Sequence, residues 1–212
     1  MLEAVCFDLD GTLIDSTDAI VDSFLYTFEV LGLPAPTREV IVGTISVPLE
    51  EQFGLLSVKD ADRAAEVYRE HYVAEAPKKT MFLPGALDAL DRLEASGLKL
   101  AIATSKRRSS AEPLLEHLGV LDRFEVVIGP EDVKNAKPDP ECLHLVLRRL
   151  GIEAKSMVFV GDSKYDIGAA RAAGLRCLAV DTGYSSREEL LTYGPEIVLG
   201  GLEAVADYVL KG

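Results

Sequence analysis

Five short, mainly apolar runs are the feature that most restricts how this chain can fold. They occupy Ala4–Phe7, Leu98–Ala103, Phe124–Ile128, Met157–Val160 and Cys177–Val180. A run with apolar residues at consecutive positions, rather than only at alternate ones, is typical of a strand that is buried on both faces of a parallel sheet. Helical patterns lie between the later runs, and one of them stops at Gly151. This alternation predicts an α/β fold with a doubly wound parallel sheet.

The segment from residue 16 to residue 80 departs from this alternation. It carries helical patterns, among them Ser16–Gly32 and Val58–Ala76, but no convincing strand. A parallel crossover needs only about a dozen residues, so an insertion of about 65 residues is far longer than a simple connection. We therefore predict a Rossmann-like core formed by residues 1–15 and 81–212, with an inserted α-helical cap formed by residues 16–80.

Composition and charge narrow the class of protein. The 212 residues are 48% hydrophobic and 27% charged, which is typical of a globular protein. A formal net charge of −13 argues against a nucleic-acid partner. No apolar run approaches the roughly 20 residues of a membrane helix, and the N-terminus does not resemble a signal peptide. The three cysteines form no C-x-x-C pair, so we expect reduced thiols and a cytoplasmic protein. We expect no membrane partner, and either a monomer or a homodimer.

Polar side chains follow four of the apolar runs. In open α/β sheets, ligands bind beyond the carboxyl ends of the strands, so the residues that follow each run are candidates for one site. They are Asp8, Asp10, Gly11 and Thr12 after the first run, Thr104, Ser105 and Lys106 after the second, Lys134 and Lys137 in the loop after the third, and Asp162, Ser163 and Asp166 after the fourth.

The acidic residues in this set predict a bound cation. Asp8 and Asp10 lie two positions apart, so in an extended chain their side chains project to the same side. If Asp162 joins them, each close pair of carboxylates costs about 4 kcal/mol at a separation of about 4 Å and an effective dielectric near 20. A divalent cation such as Mg²⁺ removes that cost, because carboxylate, carbonyl and water oxygens are its preferred ligands. The alternative is that these aspartates only cap helices and form turns.

Four motifs, in this order, resemble those of the haloacid dehalogenase-like hydrolase superfamily. DLDGT at 8–12 resembles the first motif, and AIATS at 101–105 resembles the second, which ends at Thr104. Lys137 of KPDP resembles the third motif, and GDSKYD at 161–166 resembles the fourth. The insertion matches the position of the superfamily's helical cap. FDLDGTLIDS and GDSKYDIGAARAAG are similar to the phosphoglycolate phosphatase-like branch.

The resemblance implies a Mg²⁺-dependent phosphatase that acts on a small phosphorylated metabolite through an aspartyl-phosphate intermediate. Asp8 would attack phosphorus, and Asp10 would protonate the leaving oxygen and later activate water. The metal would lie on the Asp8 side chain, the Asp10 carbonyl and Asp162. Thr104 would bind the phosphoryl group, and Lys137 would offset its charge. A supporting or substrate-contacting role would fall to Gly11, Thr12, Gly43, Ser105, Lys106, Ser163 and Asp166. Among these, Asp166 would hold Lys137 or a metal-bound water. The alternative for Gly43 is that it only ends a helix.

Three other functions stay open on the sequence. A pyrophosphatase and a β-phosphoglucomutase-like phosphotransferase share much of this pattern with the phosphoglycolate phosphatases. Ser105 stands where related phosphatases often carry asparagine, beside the expected site. A phospho-receiver signalling module also uses an acidic cluster, a hydroxyl group and a lysine, but its phosphorylated aspartate follows a later strand. The sequence argues against a P-loop kinase, because it contains no G-x-x-x-x-G-K-[ST] motif.

Overall fold

The structure, a computed structural model, describes residues 2–211. Residues 1 and 212, the two ends of the predicted core, lie outside this range. The strands are β1 Ala4–Phe7, β2 Ile14–Asp15, β3 Met81–Phe82, β4 Lys99–Ala103, β5 Phe124–Ile128, β6 Met157–Gly161, β7 Arg176–Val180 and β8 Ile197–Leu199. The helices are α1 Thr17–Val30, α2 Arg38–Val42, α3 Leu49–Leu55, α4 Ala61–Lys79, α5 Ala86–Ala95, α6 Arg108–His117, α7 Glu141–Leu150, α8 Lys164–Ala172, α9 Arg187–Thr192 and α10 Leu202–Lys211.

Six strands form one parallel sheet in the order β5-β4-β1-β6-β7-β8. The central strand β1 pairs with β4 and β6, so that Phe7 lies opposite both Ile102 and Val160. Strands β4 and β5 lie on one side of β1, whereas β6, β7 and β8 lie on the other. The carboxyl end of β1 is therefore the point at which the strand order reverses, where open α/β sheets bind their ligands. The residues that follow β1, β4 and β6 are therefore neighbours in space.

Both faces of the sheet are covered, as the five apolar runs predict. Val5 and Phe7 of β1 pack into one apolar cluster, whereas Ala4 and Cys6 pack into a second one on the other face. All four side chains are fully buried. The prediction of a doubly wound parallel α/β sheet is confirmed, because strand residues alternate between two covered faces rather than between core and solvent.

The five predicted strands agree with β1, β4, β5, β6 and β7 to within one residue at either end. The edge strand β8 was not predicted, and neither was the antiparallel β2–β3 ribbon, in which Ile14 lies opposite Phe82 and Asp15 opposite Met81. Strands of two or three residues are too short to show a period in the sequence, so tertiary pairing alone reveals them.

Helices α1–α4 form the insertion, and the β2–β3 ribbon joins the two points at which the chain enters and leaves it. An aromatic cluster packs these helices together: the ring of Phe24 lies 4.7 Å from that of Phe53 and 5.0 Å from that of Tyr68. These rings belong to the same apolar cluster as Val5 and Phe7 of the sheet. Within residues 2–211, no helix is long and apolar enough to cross a membrane.

Candidate active site

Asp8 and Lys137 form a buried ion pair at the centre of the sheet edge. The Asp8 backbone continues the β1–β6 ladder, since its N–H donates to Val160 O at 2.8 Å. The Lys137 ammonium lies 2.8 Å from Asp8 Oδ1 and 2.6 Å from Asp166 Oδ1, and it also donates to Ala103 O. Burial alone would lower the pKa of Lys137, but the Asp166 and Asp8 carboxylates outweigh that effect and raise the pKa above its ordinary value. Lys137 therefore stays charged.

Asp166 is held in place by the start of helix α8. Ser163 is the N-cap residue, and its hydroxyl and backbone N–H both donate to Asp166 Oδ2. This is a capping box with an aspartate in place of the usual glutamate. Because one oxygen caps the helix and the other accepts from Lys137, Asp166 positions the lysine against Asp8.

Asp162 is held by donors from two other loops. The Thr12 hydroxyl donates to Asp162 Oδ1 at 3.2 Å, and the Tyr184 backbone N–H donates to Oδ2 at 3.0 Å. Gly11 has a φ of +84°, and a Cβ there would lie 2.7 Å from Asp162 Oδ2. Gly183 approaches more closely, because a Cβ there would lie 1.9 Å from the same oxygen.

We expect that Gly183→Ala displaces Asp162 and weakens any cation site that it helps to form. The added methyl group cannot coexist with the carboxylate, so either the loop or the Asp162 side chain must move. The measurement is the Mg²⁺ concentration that gives half-maximal activity, expected to rise about ten-fold or more, given that supporting residues of metal sites are worth roughly 10–100-fold in affinity. Gly54→Ala is the comparison variant, because its φ is not positive and no atom outside its own helix lies within 4 Å of its Cβ position; equal Mg²⁺ requirements in both variants would contradict the steric argument.

Carboxylate oxygens of Asp8, Asp162 and Asp166 lie within 4.8 Å of one another, and all three side chains are buried. Burial raises the pKa of Asp8 to about 7, although Lys137 lowers it. Burial and the neighbouring Asp166 and Asp8 carboxylates raise the pKa of Asp162 well above its ordinary value. One lysine thus faces three acidic groups, and the second oxygen of Asp8 accepts no hydrogen bond from residues 2–211. An oxygen-rich cluster with uncompensated negative charge fits a divalent cation such as Mg²⁺.

Asp10 lies beside this cluster with partners of its own. Its carboxylate accepts a hydrogen bond from the Ser16 hydroxyl, and the Lys106 ammonium lies 3.1 Å from its other oxygen. The ammonium also lies 4.3 Å from the centre of the Tyr72 ring, in a cation–π contact. The Asp10 side chain is not a member of the three-carboxylate cluster; the ligand expected from this residue is its backbone carbonyl.

Thr104 and Ser105 follow β4 and face the insertion. Thr104 is buried, and its hydroxyl accepts a hydrogen bond from the Lys106 backbone N–H. The Ser105 hydroxyl donates to Ser46 O at 3.0 Å, so this residue touches the loop between α2 and α3. Ser46 adopts a φ of +105°, which is unusual for a residue with a side chain. Gly43 ends helix α2 and does not line the cavity described next, whereas Ser46 does.

A cavity of about 70 Å³ opens between the sheet edge and the insertion. Asp8, Asp10, Thr104, Ser105 and Lys106 line it from the core side. The insertion contributes Ile20, Ile45, Ser46, Val47, Leu49, Glu50, Gln52, Tyr68, Arg69 and Tyr72, while Arg107, Ser110 and Pro130 complete the lining. The contributions from the insertion were missed in the sequence, because helical periodicity marks buried faces and does not tell which buried face meets the sheet edge.

The matches to known proteins cover most of the chain. The family model described as haloacid dehalogenase-like hydrolase matches residues 5–180. Pyrophosphatase PpaX of Halalkalibacterium halodurans is 31% identical, over 98% of this chain and 97% of its own length. A phosphoglycolate phosphatase of Yersinia pseudotuberculosis is 34% identical, over 93% of this chain and 89% of its own length.

The fold is shared with solved structures as well. A haloacid dehalogenase-like hydrolase of Streptococcus pneumoniae superposes with a TM-score of 0.88 at 30% identity, and the match covers 98% of both chains. The likeness to these proteins thus extends over nearly the whole length of the chain. The chain belongs to the haloacid dehalogenase-like hydrolase family.

Proposed function

We propose that this protein is a Mg²⁺-dependent phosphatase of the phosphoglycolate phosphatase-like branch, acting on a small phosphorylated metabolite through Asp8. The observation that carries the proposal is the Asp8 carboxylate itself. It lines the cavity, one of its oxygens is 2.8 Å from Lys137, and the other makes no hydrogen bond to the described residues. A carboxylate oriented in this way can act as a nucleophile.

The reaction has two steps in this proposal. In the first, an Asp8 oxygen forms a bond to phosphorus while the bond from phosphorus to the ester oxygen breaks, and Asp10 gives a proton to the leaving oxygen. In the second, water attacks the phosphorus of the aspartyl-phosphate, Asp10 takes its proton, and phosphate leaves as the Asp8 carboxylate is restored. The Lys106 ammonium lies 3.1 Å from one Asp10 oxygen and the Ser16 hydroxyl donates to the other, so both contacts hold this carboxylate in place.

Charge stabilisation comes from the groups around Asp8. Lys137 offsets negative charge on Asp8 and on the transferring phosphoryl group, and the Thr104 hydroxyl is available to donate to that group. Mg²⁺, held by the side chains of Asp8 and Asp162 and by the Asp10 carbonyl, would supply further positive charge at the phosphoryl oxygens. Thr12 holds Asp162, and Gly11 leaves room for its carboxylate. Asp166, which accepts a hydrogen bond from Ser163, holds Lys137. Electrostatic stabilisation of this kind accounts for most of the catalysis of phosphoryl transfer.

The same proposal assigns residues 16–80 as a cap that covers the site and residues 1–15 and 81–212 as the catalytic core. The cavity between the two parts and the Ser105–Ser46 hydrogen bond support this division. A cap excludes bulk water from the phosphoryl transfer and lets its own side chains contact the substrate. Substitutions of cap residues that line the cavity, described in the next subsection, test whether the cap takes part.

The direct test is phosphate release from a panel of phosphoglycolate, pyrophosphate and hexose phosphates, with Mg²⁺ and with a chelator. We expect release from at least one small phosphate ester with Mg²⁺ and none with the chelator. Pyrophosphate hydrolysis is the second candidate, because the relative PpaX is named a pyrophosphatase. Transfer of phosphate between two positions of a sugar, without net release, would instead identify a phosphotransferase, and a phospho-form without turnover would identify a receiver.

Mg²⁺ should also stabilise the folded protein, independently of activity. A ligand present at 100 times its dissociation constant adds about 2.7 kcal/mol to the free energy of unfolding, which corresponds to roughly 5–10 °C in melting temperature for a chain of this size. Asp162→Asn should lose most of this shift, because it removes a charged ligand from the cluster. Asp122→Asn, at an exposed position, should retain it. An identical Mg²⁺ shift in wild type and Asp162→Asn would contradict the proposed metal site.

A further inference from the structure

The cavity carries a second group of charged side chains that the proposed phosphoryl transfer does not use. It consists of Glu50 on α3, Arg69 on α4 and Arg107 just before α6. The Arg69 guanidinium donates a hydrogen bond to Glu50 Oε1, and Arg107 lies 4.0 Å from the same oxygen. Two of the three residues come from the insertion and one comes from the core, so this group spans the boundary between the two parts.

The charges of this group do not balance. Lys106 is paired with Asp10, and Lys137 is shared between Asp8 and Asp166. That leaves two arginines facing the single Glu50 carboxylate, in a chain whose formal net charge is −13. The Arg69 side chain is only 22% exposed, so its charge is partly desolvated. A cavity wall with an excess of guanidinium charge attracts an anion, and the planar guanidinium group matches carboxylate and phosphoryl oxygens.

We propose that Arg69 and Arg107 form a subsite for a second anionic group on the substrate, with Glu50 holding Arg69 in place until that group binds. The inference rests on the proposed phosphatase function, since the first phosphoryl group occupies the Asp8 end of the cavity. The substrate class is then a small phosphate ester or anhydride that carries a further carboxylate or phosphoryl group. A cavity of about 70 Å³ has room for several water molecules, which suits a body of two or three carbons.

The test compares three esters of nearly equal size. Phosphoglycolate carries a carboxylate, 2-hydroxyethyl phosphate carries a neutral hydroxyl group, and phosphoethanolamine carries an ammonium group. Pyrophosphate is the fourth compound. Comparing it with phosphoglycolate shows whether the subsite prefers a second phosphoryl group or a carboxylate. The readout is the ratio of kcat/KM for each charged compound to kcat/KM for the neutral ester, which cancels changes in the chemical step.

We expect the wild-type ratio to favour phosphoglycolate or pyrophosphate by at least ten-fold. Arg69→Gln should lower that ratio by about ten- to a hundred-fold, the usual range for a lost hydrogen bond to a charged group. Glu50→Gln should raise it, because the amide keeps an acceptor for Arg69 while a competing negative charge disappears. Arg107→Gln should lower it less, since Arg107 is 46% exposed. Arg63→Gln is the control on the same helix, paired with Glu66 away from the cavity, and should leave the ratio unchanged.

In the turnover assays, two results would overturn the subsite. One is that Arg69→Gln and Glu50→Gln change kcat/KM for all esters by the same factor, which would show that the ion pair only stabilises the structure. The other is a wild-type preference for phosphoethanolamine or the neutral ester. Thermal stabilisation of the Asp8→Asn variant by the same compounds gives a readout without turnover. If no compound is hydrolysed, the phosphatase proposal fails. Even then, the subsite is supported if the anionic compounds selectively stabilise the Asp8→Asn variant and Arg69→Gln abolishes that stabilisation. If the anionic compounds do not stabilise it selectively, the subsite is refuted.

Discussion

Replacing Asp8 by asparagine is expected to abolish phosphate release, with a fall in kcat of at least about 10⁴-fold, while the protein still folds. Loss of an enzyme's nucleophile costs roughly this much or more, because the residual binding and charge stabilisation cannot replace the covalent step. The amide keeps the size of the side chain and an oxygen for Lys137, which also retains Asp166 and Ala103 O as partners. The measurements are phosphate release and an acid quench that traps aspartyl-phosphate in the wild type only.

The stability of the Asp8→Asn variant provides its control. Asp8 has a pKa of about 7 in the folded protein without a cation, against an ordinary value of 3.8. Folding therefore takes up a proton between these pH values, so the contribution of Asp8 to the free energy of unfolding falls as the pH rises from about 4 to about 7. The variant lacks this dependence, and without Mg²⁺ at pH 8 it should melt at the same temperature as the wild type or higher. Activity within ten-fold of the wild type in a folded variant would refute the role of Asp8.

Replacing Lys137 by methionine is expected to have the largest effect on stability. The substitution leaves Asp8 and Asp166 buried without the cation that both contact. Removing one partner of a buried ion pair costs about 3–5 kcal/mol, which is roughly 6–20 °C in melting temperature for a chain of this size. Because Lys137 also offsets charge on the phosphoryl group in the proposed reaction, activity should fall by at least about 10²-fold.

Two comparisons distinguish this effect from a general loss of a lysine. Lys134→Met lies three residues earlier in the same loop at an exposed position, and should melt within about 2 °C of the wild type, as most surface substitutions do. The deficit of Lys137→Met should also be smaller at pH 5 than at pH 8, because a carboxyl group with a raised pKa is protonated at pH 5 and needs no counter-ion. A deficit that is the same at both pH values would contradict the electrostatic explanation.

Regular elements of the fold were predictable where burial left a repeating pattern. The run Phe124–Ile128 is a strand with those bounds in the structure, and the helix that was expected to stop at Gly151 ends at Leu150 with Gly151 in a left-handed conformation. Helix α7 begins at Glu141, directly after its N-cap residue Pro140. The strand β8 of three residues left no pattern long enough to recognise.

The side of the site formed by the core was predictable for a topological reason. Parallel strands deliver the residues that follow them to one edge, so Asp8, Thr104 and Asp162 could be grouped from their positions alone. The loops that hold them were not predictable. Gly183 and Tyr184 follow β7, and nothing in their local sequence shows that they contact Asp162. Gly43 was predicted to lie near the substrate, but it ends α2, and Ser46 approaches Ser105 instead.

The sequence alone determined the class of fold and which polar residues gather at the strand ends, and it predicted the insertion, because burial periodicity and acidic strand ends are local properties of the chain. Only the tertiary structure decided which residues of the insertion face Asp8. Arg69 and Glu50 are separated by 19 residues and lie on different helices, and they meet because α1, α3 and α4 pack on one aromatic cluster. Such packing depends on the shapes of many side chains at once, and for that reason the wall of the cavity that would recognise the substrate emerged only from the folded chain.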